Sequence, residues 1–266
     1  MKRLAIVLLV VPALAAPACS SSQPGAASAD ARQASSTDQA SPSNPLYPFT
    51  LMRQGSVLLQ QGKTEDALKL FEEAARLQPG NATVYNMIGL CNLRMQKYPE
   101  ALDAFNTALQ LIPTFSDARN NRGATYLAMG QYHMAEVDFL AVLGDNTYPH
   151  HWDIFYNLGM VYLHQDRLAA AEENFSRAAT APKPVYEAFL RLAEINLRRN
   201  RTDAAIDILE EARLKFPERM EAPLELGRIL LKEGRRDEAR TYLEEVVHGA
   251  PGSDLARQAR ELLQEN

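Results

Sequence analysis

The chain has 266 residues, of which 46% are apolar and 23% charged, the proportions of a folded protein with a substantial core. Its 33 acidic residues outnumber its 28 basic ones, and the net charge of −5 argues against general binding to nucleic acid or to anionic lipid. Two cysteines are too few for a disulfide scaffold or a cysteine-based zinc site, and no apolar run reaches the ~18–20 residues of a membrane-spanning helix.

Residues 1–18 have the layout of a secretory signal peptide. Two basic residues follow the first methionine, eight consecutive apolar residues come next, and small residues lead up to Cys19. This approach resembles a bacterial lipoprotein signal, in which the cysteine is acylated and becomes the new N-terminus. The alternative is ordinary cleavage after Ala16 or Ala18, which would leave a periplasmic protein without an acyl anchor.

The stretch from Cys19 to residue 45 is predicted to be a tether. Residues 20–45 contain no aromatic side chain and no Leu, Ile or Val, and they show neither helical nor strand periodicity. Such a segment cannot bury enough apolar surface to offset the entropy that ordering would cost. We therefore expect a disordered linker that begins at the lipidated cysteine and holds the folded part near a membrane.

Residues 48–251 repeat with a period close to 34. Six alanines mark the period, with spacings of 34, 34, 36, 34 and 34 residues: Ala67, Ala101, Ala135, Ala171, Ala205 and Ala239. A glycine or alanine stands twelve residues before each of them, and a phenylalanine or leucine four residues after it. This pattern resembles the tetratricopeptide repeat (TPR) family, in which each repeat is a pair of helices.

The resemblance implies an all-α fold, a TPR solenoid of six helix-turn-helix repeats with a C-terminal capping helix. The repeats are expected at 48–81, 82–115, 116–151, 152–185, 186–219 and 220–252. Residues 253–266 carry leucines and alanines at i, i+4, i+7 and i+8, the stripe of a helix that is apolar on one face. Such a helix suits the end of a repeat array, where one face must be polar.

The first helix of each TPR is expected to line a groove that receives a protein partner. At groove positions five, nine and twelve of the repeats the residues are largely apolar, and position twelve is leucine in all six. We predict the contact residues to be Met52, Leu59, Asn86, Leu90, Leu93, Asn120, Leu127, Tyr156, Met160 and Leu163. For the leucines of position twelve, burial against the next repeat is the alternative.

No pattern of catalytic or ligand-binding residues stands out. The sequence lacks a glycine-rich phosphate loop and the G-x-S-x-G and H-E-x-x-H motifs. His150 and His151 are adjacent in a loop without a nearby acidic partner, which is weak support for a metal site. We therefore predict a protein that is not an enzyme and that takes no cofactor, no metal and no small-molecule substrate.

One family matches the whole arrangement of signal, tether and six TPRs. The two additional residues between repeats three and four fall in GDNTYPHHWD at 144–153. Its irregular junction Asp145–Pro149 (DNTYP) is followed by FYNLGMVYL at 155–163. Together these features resemble the type IV pilus biogenesis/stability lipoproteins, the PilW/PilF-type pilotins, which include Tgl-like proteins. The resemblance implies an outer-membrane lipoprotein that is anchored through Cys19, faces the periplasm, binds the secretin subunit and promotes its multimerisation.

A second interpretation keeps the fold and changes the partner. Other TPR lipoproteins are envelope adaptors that scaffold peptidoglycan enzymes. The sequence leaves both possibilities open, because TPR positions are packing positions and do not identify a partner.

Overall fold

The computed structural model describes residues 44–265, and within this range the regular structure is helical. Helices α1 to α13 are, in chain order, Tyr47–Gln60, Thr64–Leu77, Ala82–Arg94, Tyr98–Leu111, Ser116–Ala128, Tyr132–Leu143, His151–His164, Leu168–Ala179, Tyr186–Arg198, Thr202–Lys215, Glu221–Lys232, Arg236–Gly249 and Asp254–Glu265. The predicted signal peptide at 1–18, the acylation site Cys19 and all but the end of the tether lie outside the described residues.

Helices α1 to α12 form six pairs, each joined by a three-residue turn. The middle residue of every turn has a positive φ, between 55° and 77°: Gly62, Gln96, Gly130, Asp166, Asn200 and Gly234. The next residue donates its N–H to a carbonyl five positions earlier, as Lys97 does to Asn92 at 2.9 Å, which closes the helix end. The prediction of an all-α fold with six helix-turn-helix repeats and a final helix is confirmed.

The chain divides into two compact units between Pro149 and His150. The first unit contains α1 to α6 and the second contains α7 to α13. The boundary coincides with the two-residue insertion that interrupts the period of 34. Tyr148 of this insertion is buried and its hydroxyl lies 3.4 Å from the Asn120 amide nitrogen, so the segment before Pro149 packs onto the first unit.

Close contact between paired helices explains the recurring glycine. A Cβ atom added to Gly89 of α3 would lie 2.5 Å from a ring carbon of Phe105 in α4, well inside van der Waals contact. The same relation joins Gly159 and Phe175 in the second unit, at 2.6 Å. The sequence predicts the close approach, and the structure identifies the phenylalanine that fills the space.

A buried ion pair connects three helices of the first unit. Arg122 of α5 donates to both carboxylate oxygens of Asp138 in α6, at 2.7 and 2.8 Å, and to Asn106 Oδ1 of α4 at 2.8 Å. Asp138 is only 2% exposed. The Asp138 hydrogen bonds are the largest cause of a raised pKa of Arg122, so the guanidinium stays charged at neutral pH.

Helix α13 covers the end of the second unit. Ala259 is fully buried in one cluster with Leu243 and Val246 of α12, and the leucines of α13 pack around this cluster. The opposite side of α13 carries exposed residues such as Arg257 and Gln264. The helix therefore has the apolar inner face and polar outer face that a capping element requires.

Candidate functional site

The predicted groove residues lie mostly inside the two units. Nine of the ten are at most 9% exposed: Leu59, Asn86, Leu90, Leu93, Asn120, Leu127, Tyr156, Met160 and Leu163. Met52 alone is half-buried. These nine side chains do not form an exposed lining, because neighbouring helices cover them, and for the leucines of position twelve this is the alternative of burial against the next repeat. Their contact with a partner remains a prediction.

Packing partners account for this burial in the first unit. Leu59 and Leu90 belong to one apolar cluster with Phe71, which spans the first repeat and the helix that follows it. A leucine at position twelve therefore stabilises the junction between repeats, as the alternative interpretation of that position anticipated.

The buried asparagines are also structural. The Asn121 amide nitrogen donates to Asn86 Oδ1 at 3.0 Å, which links α5 to α3. Both side chains are at most 6% exposed, and a buried amide without such a partner would be destabilising. Asn86 and Asn120 are thus held by protein partners and are not free to bind a ligand.

Accessible apolar side chains are found at the first helix. Among the described residues no helix precedes α1, so its outer face is not covered by another repeat. Leu46 and Phe49 are both 53% exposed and line a cleft with Thr50 and Arg53. Met52 follows one turn after Phe49, and its sulfur lies 3.7 Å from the Asn81 amide nitrogen. Met52 is among the contact residues predicted from the sequence and Phe49 is not, although the position of α1 at the start of the repeats indicates an uncovered face.

The second unit presents charged groups on α9. Glu194 accepts hydrogen bonds from Arg191 at 2.8 Å and from Arg198 at 2.6 Å, so two guanidinium groups share one carboxylate. The nearby His164 has a lowered pKa, because of burial and then of these arginines. Tyr156 packs its ring on Phe175 at 5.6 Å between ring centroids, and burial raises the pKa of its hydroxyl. These charged side chains of α9 lie beyond Leu163, the last of the predicted contact residues.

The described residues offer little for covalent chemistry. Burial raises the pKa of the Cys91 thiol to about 12, so the thiol stays protonated and is a poor nucleophile. Residues 44–265 contain no group of three His, Cys, Asp or Glu side chains placed to hold a metal ion. Within the same residues, none of the helices has the length and hydropathy that crossing a bilayer requires.

Comparisons with solved structures support the fold. PilF of Pseudomonas aeruginosa superimposes with a TM-score of 0.67 and 21% identity, over 82% of this chain and 97% of PilF. PilW, a widely conserved type IV pilus biogenesis factor, superimposes with a TM-score of 0.72 and 18% identity, over 83% of this chain and all of PilW. At such identities the likeness shows a common fold.

Curated relatives match over shorter segments. The lipoprotein NlpI homologue of Haemophilus influenzae is 33% identical over 127 residues, which are 45% of this chain and 38% of that protein. Subunit 3 of the anaphase-promoting complex of Schizosaccharomyces pombe is 30% identical over 110 residues, 16% of its length. The chain thus spans less than two fifths of the length of these relatives.

Comparison with models of protein families identifies the family of this chain. Two models described as tetratricopeptide repeat match this chain, one at residues 52–114 and 120–187 and the other at 196–263. These segments cover well over half of the sequence and include helices of both compact units. TPRs are protein-interaction modules built from stacked helix pairs. The chain belongs to the tetratricopeptide repeat family.

Proposed function

We propose that the protein is an outer-membrane lipoprotein of the pilotin type, which binds the secretin subunit of the type IV pilus and promotes its multimerisation. The observation that supports this most is the likeness to PilW and PilF along nearly their whole length. The lipoprotein-like signal that ends at Cys19 agrees with it, because an acyl anchor would hold the repeats at the membrane where a secretin assembles.

The role requires binding and no covalent step. An acyl chain at Cys19 supplies the membrane attachment, and the tether that follows lets the repeats search a volume near the membrane. Both raise the effective concentration of the repeats around a secretin subunit. In this proposal the protein is not an enzyme and takes no cofactor.

The contact with the secretin is proposed on the first unit. Of the ten predicted contact residues Met52 is the one with an accessible side chain, and Phe49 and Arg53 of the same helix flank it. These three combine an aromatic ring, a flexible thioether and a guanidinium, side chains that are enriched at protein interfaces. The nine buried residues of the set then act by holding the helices in place.

Affinity capture from detergent-solubilised envelope tests the proposal with the full lipoprotein as bait. We expect the secretin in the bound fraction, and a loss of at least tenfold in Met52→Glu, because a carboxylate would be desolvated in the contact. The control is Leu214→Glu, which adds the same charge at a leucine that is 71% exposed in the second unit. Absence of secretin from the wild-type fraction contradicts the proposal.

An envelope adaptor for peptidoglycan enzymes is the second candidate. The observation that favours it is the 33% identity to a protein described as a lipoprotein, the NlpI homologue. The same capture distinguishes the two functions: cell-wall hydrolases without secretin in the bound fraction support the adaptor.

A further inference from the structure

Helix α6 of the first unit has an exposed apolar stripe. Met134, Val137 and Leu140 lie on one side of this helix and are 47%, 50% and 49% exposed. Three large apolar side chains in a row at half exposure are uncommon on a surface that is otherwise polar. Phe139 and Val142 of the same helix are fully buried, so the exposed residues are not needed for the core.

The other five repeats show that this position of the fold does not call for apolar residues. At the position equivalent to Val137, two residues after the recurring alanine, the other repeats have Lys69, Asp103, Glu173, Asp207 and Thr241. At the level of Leu140 they have Glu72, Asn106, Ser176, Glu210 and Glu244. Ten polar residues at equivalent positions fold into the same helix, so the valine and leucine of repeat three need a reason other than stability.

The surroundings of the stripe are acidic. Arg122 bridges Asn106 of α4 and Asp138 of α6, with contacts of 2.8 and 2.7 Å, so one guanidinium brings side chains of the two helices together at this point. Asp103 lies one turn before Asn106 on α4 and is exposed, and Glu100 precedes it by a further turn. Neither α4 nor α6 contains a lysine or arginine, and the nearest basic residue in the chain before Glu100 is the exposed Lys97, directly before α4.

The charge and the size of the stripe select among possible occupants. An anionic membrane surface would be repelled by the acidic flank. A second copy would bring the same flank against itself in a two-fold dimer. Three half-exposed side chains supply roughly 250 Å² of apolar surface, well below the ~800 Å² that each partner buries in a standard interface, which suits a single short helix better than a second copy.

We propose that the α6 stripe, Met134, Val137 and Leu140, docks a basic amphipathic helix of a partner protein. An apolar face with a period of three to four residues would pack on the stripe, and lysines or arginines beside that face would meet Asp103 and Glu100. The stripe belongs to α6, whereas Phe49, Met52 and Arg53 belong to α1. This proposal therefore does not depend on the identity of the partner that binds at α1.

Peptide binding to the intact protein tests the proposal. The probes are two fluorescein-labelled helical peptides with the same leucine face, one with lysine flanks and one with glutamate flanks, and the readout is fluorescence anisotropy. We expect saturable binding of the lysine peptide, at least tenfold tighter than that of the glutamate peptide. In Val137→Asp/Leu140→Glu, lysine-peptide binding should weaken at least tenfold, because apolar contact is lost.

The variant and its control are matched. Asp and Glu occur at these two levels in sister repeats, so the variant is compatible with the helix, and circular dichroism checks its folding. The control Leu77→Asp/Leu214→Glu places the same two acids at leucines that are 46% and 71% exposed elsewhere. It should bind the lysine peptide like the wild type.

Four results would overturn the proposal. They are no saturable binding of the lysine peptide, equal binding of both peptides, an equal loss in the variant and the control, and a gain of affinity in the α6 variant. Sedimentation that shows dimers lost in Val137→Asp/Leu140→Glu would identify a second copy as the occupant. Binding to phosphatidylglycerol vesicles, lost in the same variant, would identify a membrane surface.

Discussion

Four of the six repeats place a phenylalanine ring over a glycine of the paired helix, as Phe105 lies over Gly89. Phe105 is fully buried, so its ring cannot turn towards solvent to admit a Cβ atom at 2.5 Å. In repeat five, the glycine position is occupied by Ala193 and the phenylalanine position by Leu209. Repeat six keeps a glycine opposite a leucine, and a Cβ atom added to Gly227 would lie 2.5 Å from Leu243, so every glycine at this position has a large side chain against it.

Gly89→Ala should lower the free energy of unfolding by about 1–3 kcal/mol. Alanine gains about 1 kcal/mol of helix propensity, and overpacking against Phe105 exceeds this gain. Urea unfolding followed by circular dichroism measures the difference. Gly89→Ala/Phe105→Leu, which copies the Ala–Leu pair of repeat five, should recover part of the loss. If Gly89→Ala alone is as stable as the wild type, the Phe105 ring can move aside for the added methyl group.

At the scale of the elements, the pair of Arg122 and Asp138 holds α5 against α6. Arg122→Met leaves Asp138 buried without its cation, and we expect a loss of about 3–5 kcal/mol. Arg122→Met/Asp138→Leu should be much less destabilised, because no buried charge remains unpaired. The double-mutant cycle in urea gives the coupling between the two residues. Additive effects of the two single changes would contradict this account.

The capping role of α13 depends on its buried face. Ala259→Asp places a carboxylate in the cluster of Leu243 and Val246 without a partner, so the free energy of unfolding should fall by about 2–4 kcal/mol. Thermal unfolding by calorimetry checks this value. Gln264→Asp adds the same charge on the exposed side of α13 and should change stability by less than about 0.5 kcal/mol. Equal effects of the two changes would show that α13 does not cap the second unit.

At the scale of the molecule, the period of 34 residues predicts the helix pairs well. Packing positions recur in every repeat, so a residue such as Ala101 or Ala171 locates its helix independently of the others. The insertion at Asp145–Pro149 also has a structural counterpart, since the boundary between the two units follows it directly. Local sequence suffices here, because each helix pair is stabilised mainly by its neighbours in the chain.

Exposure at the groove positions could not be predicted in the same way. A residue at position five or twelve lies between its own repeat and the next. The distance between the helices determines whether its side chain is buried or exposed. Leu90 and Leu127 are covered, whereas Phe49 on the uncovered first helix is exposed. Val137 and Leu140 of the α6 stripe are visible in the sequence as apolar residues at positions where the other five repeats are polar.

The central claim is that this TPR protein promotes the assembly of a secretin, and the most direct measurement is the state of the secretin in cells that lack the protein. Immunoblots of unheated envelope samples separate detergent-resistant secretin multimers from monomers. We predict that deletion leaves monomers and removes the multimers, and that the wild-type lipoprotein restores them. Normal multimers in the deletion strain would contradict the claim and favour the envelope adaptor.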